Sequence, residues 1–383
     1  MMFGDNKFIC PYCYEKHGIN DCIYRCAYNS SGVLKNSDGS AKQCKFDFQK
    51  NADGTIPAKY IKKCTKCDNA KLIRFCPIKS QKGKMLEIPE RACGNTFSIA
   101  LIGAKQSGKS NYIAVLVNEI KKKMSRNMDC SLIFCNQQTN DAYLSTYYRP
   151  LYENSTTVKG TDANDDAPPL IYSIDFYKAN KIRDSITMSL YDTAGENLDN
   201  ENSMLCNNQY ISNASGIIIL LDPLQLPAIR RKLEGKVELP DQNSDTTDIL
   251  RRVINLIKDQ KKIKGNIDIP IALAFTKMDV LAKYDALPDD SCLRMQSEHI
   301  AKGGFVKSDF EETNREIIAL LENFMADEVE QLLKQFTRYS FFGVSSLGEN
   351  PAGGVKLSGE PNPIRVLDPL LWLLSINKYI KTI

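Results

Sequence analysis

Residues 103–110 read Gly103-Ala-Lys-Gln-Ser-Gly-Lys-Ser110, a complete G-x-x-x-x-G-K-S run. No other feature constrains the fold as strongly, because this run works at only one kind of junction. Gly103 and Gly108 permit a tight turn that aims successive backbone N–H groups at one centre, and Ala104, Lys105, Gln106 and Ser107 form the body of that turn. Lys109 is placed to reach outer phosphate oxygens and the Ser110 hydroxyl to ligate Mg²⁺. The flanks supply the junction. Phe97-Ser-Ile-Ala-Leu-Ile102 is a short apolar strand, and Asn111 to Ile120 has helical spacing. A helix that begins at the loop adds its positive dipole end to the anion site.

The rest of the chain alternates short apolar runs with helical periods. Leu170–Tyr177 and Ser185–Tyr191 predict neighbouring strands of an antiparallel hairpin. Gly216–Leu221 and Ile269–Phe275 predict buried parallel strands, and Ser340–Val344 a last one. Thr246–Lys264 and Glu311–Phe336 predict helices, and Pro369–Ile380 a closing helix capped by Asp368. The expected fold is therefore α/β: a three-layer phosphate-loop NTPase domain with a mostly parallel sheet over residues 96–383. Ser131–Phe134 is apolar but of no decided type.

Residues 1–95 differ in composition. Nine of the 13 cysteines precede the phosphate loop, and the segment has too few apolar residues for a good core, which a structural metal would remedy. There is no apolar leader and no stretch long enough to span a membrane, so a cytoplasmic protein with reduced thiols is expected. Cys10-Pro-Tyr-Cys13 and Cys64-Thr-Lys-Cys67 are C-x-x-C knuckles suited to tetrahedral Zn²⁺. One pairing places Cys10, Cys13, Cys26 and Cys44 in one site and Cys64, Cys67, Cys76 and Cys93 in another. The alternative joins the two knuckles directly. Cys22 is the expected spare; His17 could be a ligand, but a lone exposed histidine more often is not one. A net charge of +4 does not point to nucleic acid.

Two further motifs follow the loop in order. The strand ending at Tyr191 runs into Asp192-Thr-Ala-Gly195-Glu196. There Asp192 can hold Mg²⁺ through water and Gly195 can offer an N–H to a terminal phosphate. Thr156, Thr157 and Thr161 lie in the polar loop before the Leu170 strand, and Thr161 is favoured as a Mg²⁺ ligand. Phe275-Thr-Lys-Met-Asp279 then resembles the [NT]-K-x-D signature of GTP-binding proteins, with Thr276, Lys277 and Asp279 in its fixed positions. In that signature the carboxylate accepts from both N1–H and N2–H of guanine. Adenine lacks that donor pair and would leave a buried carboxylate unpaired. Ser345 and Ser346 sit where such proteins carry a loop whose N–H contacts guanine O6.

These elements, with the hairpin before Asp192, resemble the Ras-like, translation-factor-related class of phosphate-loop GTPases. With the cysteine-rich head and Asp222-Pro223, the chain more narrowly resembles bacterial double-GTPase domains. Those carry zinc ribbons and occur in multi-gene biological-conflict systems. The resemblance implies a Mg²⁺-dependent GTP/GDP switch read by a protein partner through loops 156–166 and 192–206, with pairing of two chains across the nucleotide left open. Glu196 departs from the class, which often has Gln there to orient water. A carboxylate beside the terminal phosphate is repelled, so slow intrinsic hydrolysis is expected, and an arginine from a partner would raise it.

Overall fold

The computed structural model describes residues 7–26, 64, 72–79, 83–93, 95–104, 106–160, 169–191, 209–240, 246–284, 286–324 and 327–383. Cys44, Cys67, Lys105, Thr161, Asp192, Gly195 and Glu196 lie outside the described residues, as does the side chain of Cys93. The chain divides into two units, Met1–Thr96 and Phe97–Ile383.

In the first unit β1 (Phe8–Ile9) pairs antiparallel with β2 (Lys16–His17). The Cys10–Cys13 knuckle is the turn between them. Tyr14 N–H donates to Cys10 O, and Cys10 N–H to Glu15 O, each at 2.9 Å. A second pair, β3 (Ile23–Cys26) and β4 (Leu72–Phe75), runs antiparallel in the register Ile23↔Phe75 to Cys26↔Leu72. Cys76 follows directly after β4.

The second unit is built on four parallel strands: β5 (Ile99–Gly103), β9 (Gly216–Leu221), β10 (Ile271–Phe275) and β11 (Tyr339–Gly343), in the order β11-β10-β9-β5. Every residue of β9 and β10 is buried. Strands buried on both faces need cover on both, which is why they read as unbroken apolar runs and why the domain has three layers. One face packs on α1 (Lys109–Glu119) and on α8 (Asp368–Ile376) through Ile113, Leu116, Ile218, Ala272, Leu370 and Leu374. Burying each such side chain contributes about 1.5–3 kcal/mol. α4 (Thr246–Lys261) buries Leu250, Val253, Ile254 and Ile257, and α6 (Lys307–Phe324) sets Phe310 against Phe342 of β11.

The expected hairpin is present as β7 (Leu170–Lys178) and β8 (Lys181–Leu190). Its turn is only Ala179-Asn180, with φ of +50° and +62°. Two left-handed residues match the twist of paired strands. The undecided run at 131–134 is a strand, β6 (Cys130–Phe134), antiparallel to β7. Phe97 N–H donates to Thr187 O at 3.0 Å. Further along, a side chain meets the edge of β5: buried Tyr210 accepts from Leu101 N–H at 2.9 Å and donates to Ile99 O at 2.6 Å. Asp368 is not the cap of α8. Its carboxylate is taken by Arg365, and Leu367 occupies the cap position.

Candidate functional site: a phosphate loop and a Thr-Lys-Met-Asp segment on one sheet edge

The parallel register places Gly103 beside Leu220, Leu221 beside Phe275, and Phe275 beside Gly343. All four strands therefore end at one edge, and the segments that leave them there are the phosphate loop, Asp222, Thr276–Asp279 and Val344–Ser346. Ligands of open α/β sheets bind at this carboxyl edge.

Geometry explains the glycines of the loop. A Cβ on Gly103 would collide with the Ser107 hydroxyl, and Gly108 sits at φ +84°. Gln106 also adopts a positive φ, +65°, so the backbone turns through left-handed conformations that bring N–H groups to one side. The residue before α1 is Gly108, which has no side chain to cap the helix that starts at Lys109. That donor set fits a phosphate.

Thr276 fastens the loop to the end of β9. Its hydroxyl lies 3.0 Å from Ser107 O and 3.2 Å from Leu221 O. Lys277 has φ +55° and donates to Asp222 at 2.5 Å. Asp222 thus fixes the lysine of the Thr276–Asp279 run, and it accepts from Leu224 N–H at 2.9 Å. Asp279 lies in the first turn of α5 (Met278–Lys283). Burial pushes its carboxyl above the usual value, against the Ser345 hydroxyl and Lys277, which pull it down. Ser345 donates to it at 2.5 Å. Only part of this carboxylate's acceptor capacity meets Ser345, so a partner with two N–H donors fits the remainder.

Thr156 and Thr157, the other switch candidates, donate to Pro150 O at 3.1 Å and Gly354 O at 3.3 Å. The strand of backbone leading to Thr161 is held by a residue the sequence did not single out. Asn111, next to Ser110 on α1, accepts from Val158 N–H at 2.8 Å.

Among the described residues the head brings together a set that crosses the first expected pairing, joining Cys76 to the Cys10–Cys13 knuckle; the alternative pairing involves Cys67, which lies outside the described residues. Cys10, Cys13, His17 and Cys76 place one ligand atom each within 4.8 Å of one another, all buried. Cys13 Sγ lies 3.6 Å from Cys76 Sγ and 3.0 Å from His17 Nε2. A Zn–S bond of 2.3 Å sets neighbouring sulfurs of a tetrahedron about 3.8 Å apart. Cys26 and Cys64 are buried but outside this group. His17 is buried, not exposed, because β2 turns it inward beside Phe8. The sequence carries a trace of this: His17 follows Cys13 by four residues, so the knuckle and the imidazole share one short hairpin.

This fold and carboxyl-edge site define a phosphate-loop GTPase. Residues 98–348 match the Double-GTPase 2 family, and the chain belongs to that family. A curated relative is SaeC of Mycolicibacterium smegmatis, provisionally named an ESX-1 scaffolding and assembly protein. It is 23% identical over 403 residues, covering 96% of this chain and 98% of the relative. Among solved structures, the GTP-bound signal recognition particle receptor SRb/SRX complex of Chaetomium thermophilum is 16% identical. That match covers 68% of this chain and 95% of that one, with a TM-score of 0.31. The GTP-bound Ski7 GTPase-like domain of S. cerevisiae is 14% identical over 74% of this chain and half of that one, with a TM-score of 0.32. Among the described residues no helix is long and apolar enough to cross a membrane.

Proposed function

We propose that this protein is a guanine-nucleotide switch that hydrolyses GTP slowly and changes its hold on a protein partner as it does so. The observation that carries the reading is the buried Asp279–Ser345 pair, set on the same sheet edge as the phosphate loop and tied to it through Thr276 and Ser107. In this reading Gly103–Ser110 cradles the phosphates, and Lys109 offsets their charge. Asp279 accepts from N1–H and N2–H of guanine, and Ser345 and Ser346 border O6. Mg²⁺, held by Ser110 and Asp192, would neutralise charge on the outer phosphates. Gly195 and Thr161 meet the terminal phosphate. The hold of Asn111 on Val158, three residues before Thr161, supports that placement. Glu196 sits where the attacking water is oriented and repels the charge it faces, so cleavage waits on a partner.

The head, in this reading, is a zinc module on Cys10, Cys13, His17 and Cys76 that stabilises a segment too small for its own core. The name of SaeC supports assembly of a multi-protein system as the process served, with the nucleotide state setting which partner is held. Calorimetric titration with GDP and ADP tests the base. We expect GDP to bind at least about a hundredfold tighter, and equal affinities would remove the role of Asp279. Single-turnover GTP hydrolysis by the wild type against Lys109→Ala tests the chemistry. A wild-type rate no higher than the variant's would make the protein a GTP-binding scaffold, not an enzyme.

A further inference from the structure

We propose that Arg365 is a positioning residue for guanine recognition: clamped by Asp309 and Asp368, it sets the backbone that holds Ser345 against Asp279. The inference rests on Asp279 as the guanine acceptor and adds a determinant that no nucleotide-binding motif contains.

Arg365 is buried, with φ +55°. A side chain disfavours that backbone, so the surroundings must enforce it. They do so from three segments. Nη1 and Nη2 form a fork on Asp309 of α6, at 2.8 and 2.9 Å, and Nη1 reaches Asp368 of α8 at 3.0 Å. Nε donates to Cys292 O at 3.1 Å.

The residues on either side of Arg365 reach both halves of the nucleotide site. Ile364 exchanges two backbone hydrogen bonds with Ser345, at 3.0 and 2.9 Å. Val366 O accepts from the hydroxyl of Tyr112 on α1 at 3.0 Å. Ser345 in turn donates to Asp279 and accepts from Gly348 N–H at 3.0 Å. A continuous path thus runs from the guanidinium through Ile364 and Ser345 to the carboxylate. Bidentate pairing with a base edge is planar and tolerates little displacement. An apolar side chain would fill the space around Arg365 without fixing this left-handed backbone or holding three segments in register.

The test uses the full chain with Arg365→Gln, Arg365→Lys and Asp309→Asn, titrated with GDP and with ADP. We expect Arg365→Gln to weaken GDP about tenfold and leave ADP unchanged, so that selectivity falls with it. Arg365→Lys should fall between, because it keeps the charge and loses the fork. If Arg365→Gln gives no folded protein, Asp309→Asn, which keeps the volume, carries the same expectation. Wild-type selectivity retained in a folded Arg365→Gln or Asp309→Asn chain would overturn the clamp, even with a lowered melting temperature. Equal wild-type affinities for GDP and ADP would instead overturn the guanine reading, and the clamp with it.

Discussion

Two clusters in this molecule look alike when only their ligand atoms are considered. In the head, Cys10, Cys13, His17 and Cys76 converge within 4.8 Å; in the GTPase unit, His299, Asp309 and Asp368 do the same. They differ in the origin of positive charge. The second cluster already contains a cation, the guanidinium of Arg365, bonded to both carboxylates. The first consists of thiols and an imidazole bonded to one another. Hydrogen bonds from the Cys10 and Cys13 thiols hold Cys76 well below the ordinary thiol range, while Cys10 is pushed up by bonding to Cys13 and Cys76. Such a group accommodates one negative charge alone and several only around a cation. A convergence of such groups therefore fits a metal where, as among the described residues of the head, no side chain supplies the charge, and an internal ion-pair cluster where one does.

The largest expected effect breaks the head. Cys76→Ser should lower bound zinc by one equivalent per chain and unfold the module, since structural zinc contributes on the order of 10 kcal/mol in small domains. Metal analysis and limited proteolysis read both. Asp309→Asn should leave the zinc content unchanged. Loss of zinc from that variant would mean that the two clusters are chemically alike after all.

The next effect breaks the clamp. Arg365→Met leaves buried Asp368 and half-buried Asp309 without the guanidinium, which should cost about 3–5 kcal/mol of GTPase-unit stability. The one tryptophan, Trp372, lies on α8 one turn beyond Asp368, so intrinsic fluorescence reports unfolding at the cluster itself. Adding Asp309→Leu and Asp368→Leu should recover most of the loss, because an apolar set of similar volume removes the stranded charges. A zinc module would have no such apolar remedy, because a segment with so few apolar residues does not hold together without its metal. Failure of the triple variant to recover would show that the charges do more than neutralise one another.

Sequence made the phosphate loop, the Thr276–Asp279 signature and the buried strands legible because each is a local pattern with a local cause. Gly108 needs its left-handed φ, and β9 and β10 need apolar residues on two faces. What was not legible depends on pairing across distance. Cys76 joins a knuckle 63 residues away, and proximity in sequence favoured other partners for both. Nothing local in Ile364-Arg-Val366 announces a clamp, because its acceptors lie on α6, α8 and the loop at Cys292. Tyr210 at the edge of β5 was equally hidden: a tyrosine that satisfies two backbone groups of another strand has no signature in its own neighbourhood.

The smallest expected effect sharpens the contrast through protons. His299 Nδ1 accepts from Val306 N–H at 3.0 Å, so the neutral ring carries its proton on Nε2, facing Asp309 at 3.6 Å and Asp368 at 3.9 Å. Burial lowers its pKa below the usual 6.5; Asp368, Asp309 and Glu298 pull it up, and Arg365 pushes it down. In the unfolded chain the ring takes a proton as pH falls through 6.5, while in the fold it stays neutral to lower pH. Its contribution is therefore complete above pH 6.5 and declines below it, with a slope of at most about 1.4 kcal/mol per pH unit for one proton. Burial raises the pKa of Asp368, and that works in the opposite direction, so the histidine effect is read as a difference between proteins. His299→Gln keeps an acceptor for Val306 N–H and does not titrate. Between pH 7.5 and 5.5 its urea midpoint, followed by Trp372 fluorescence, should fall less than that of the wild type. Equal falls would mean that the folded ring takes up its proton as readily as the unfolded one, making the imidazole a second internal cation in a cluster that differs from the head by holding its own.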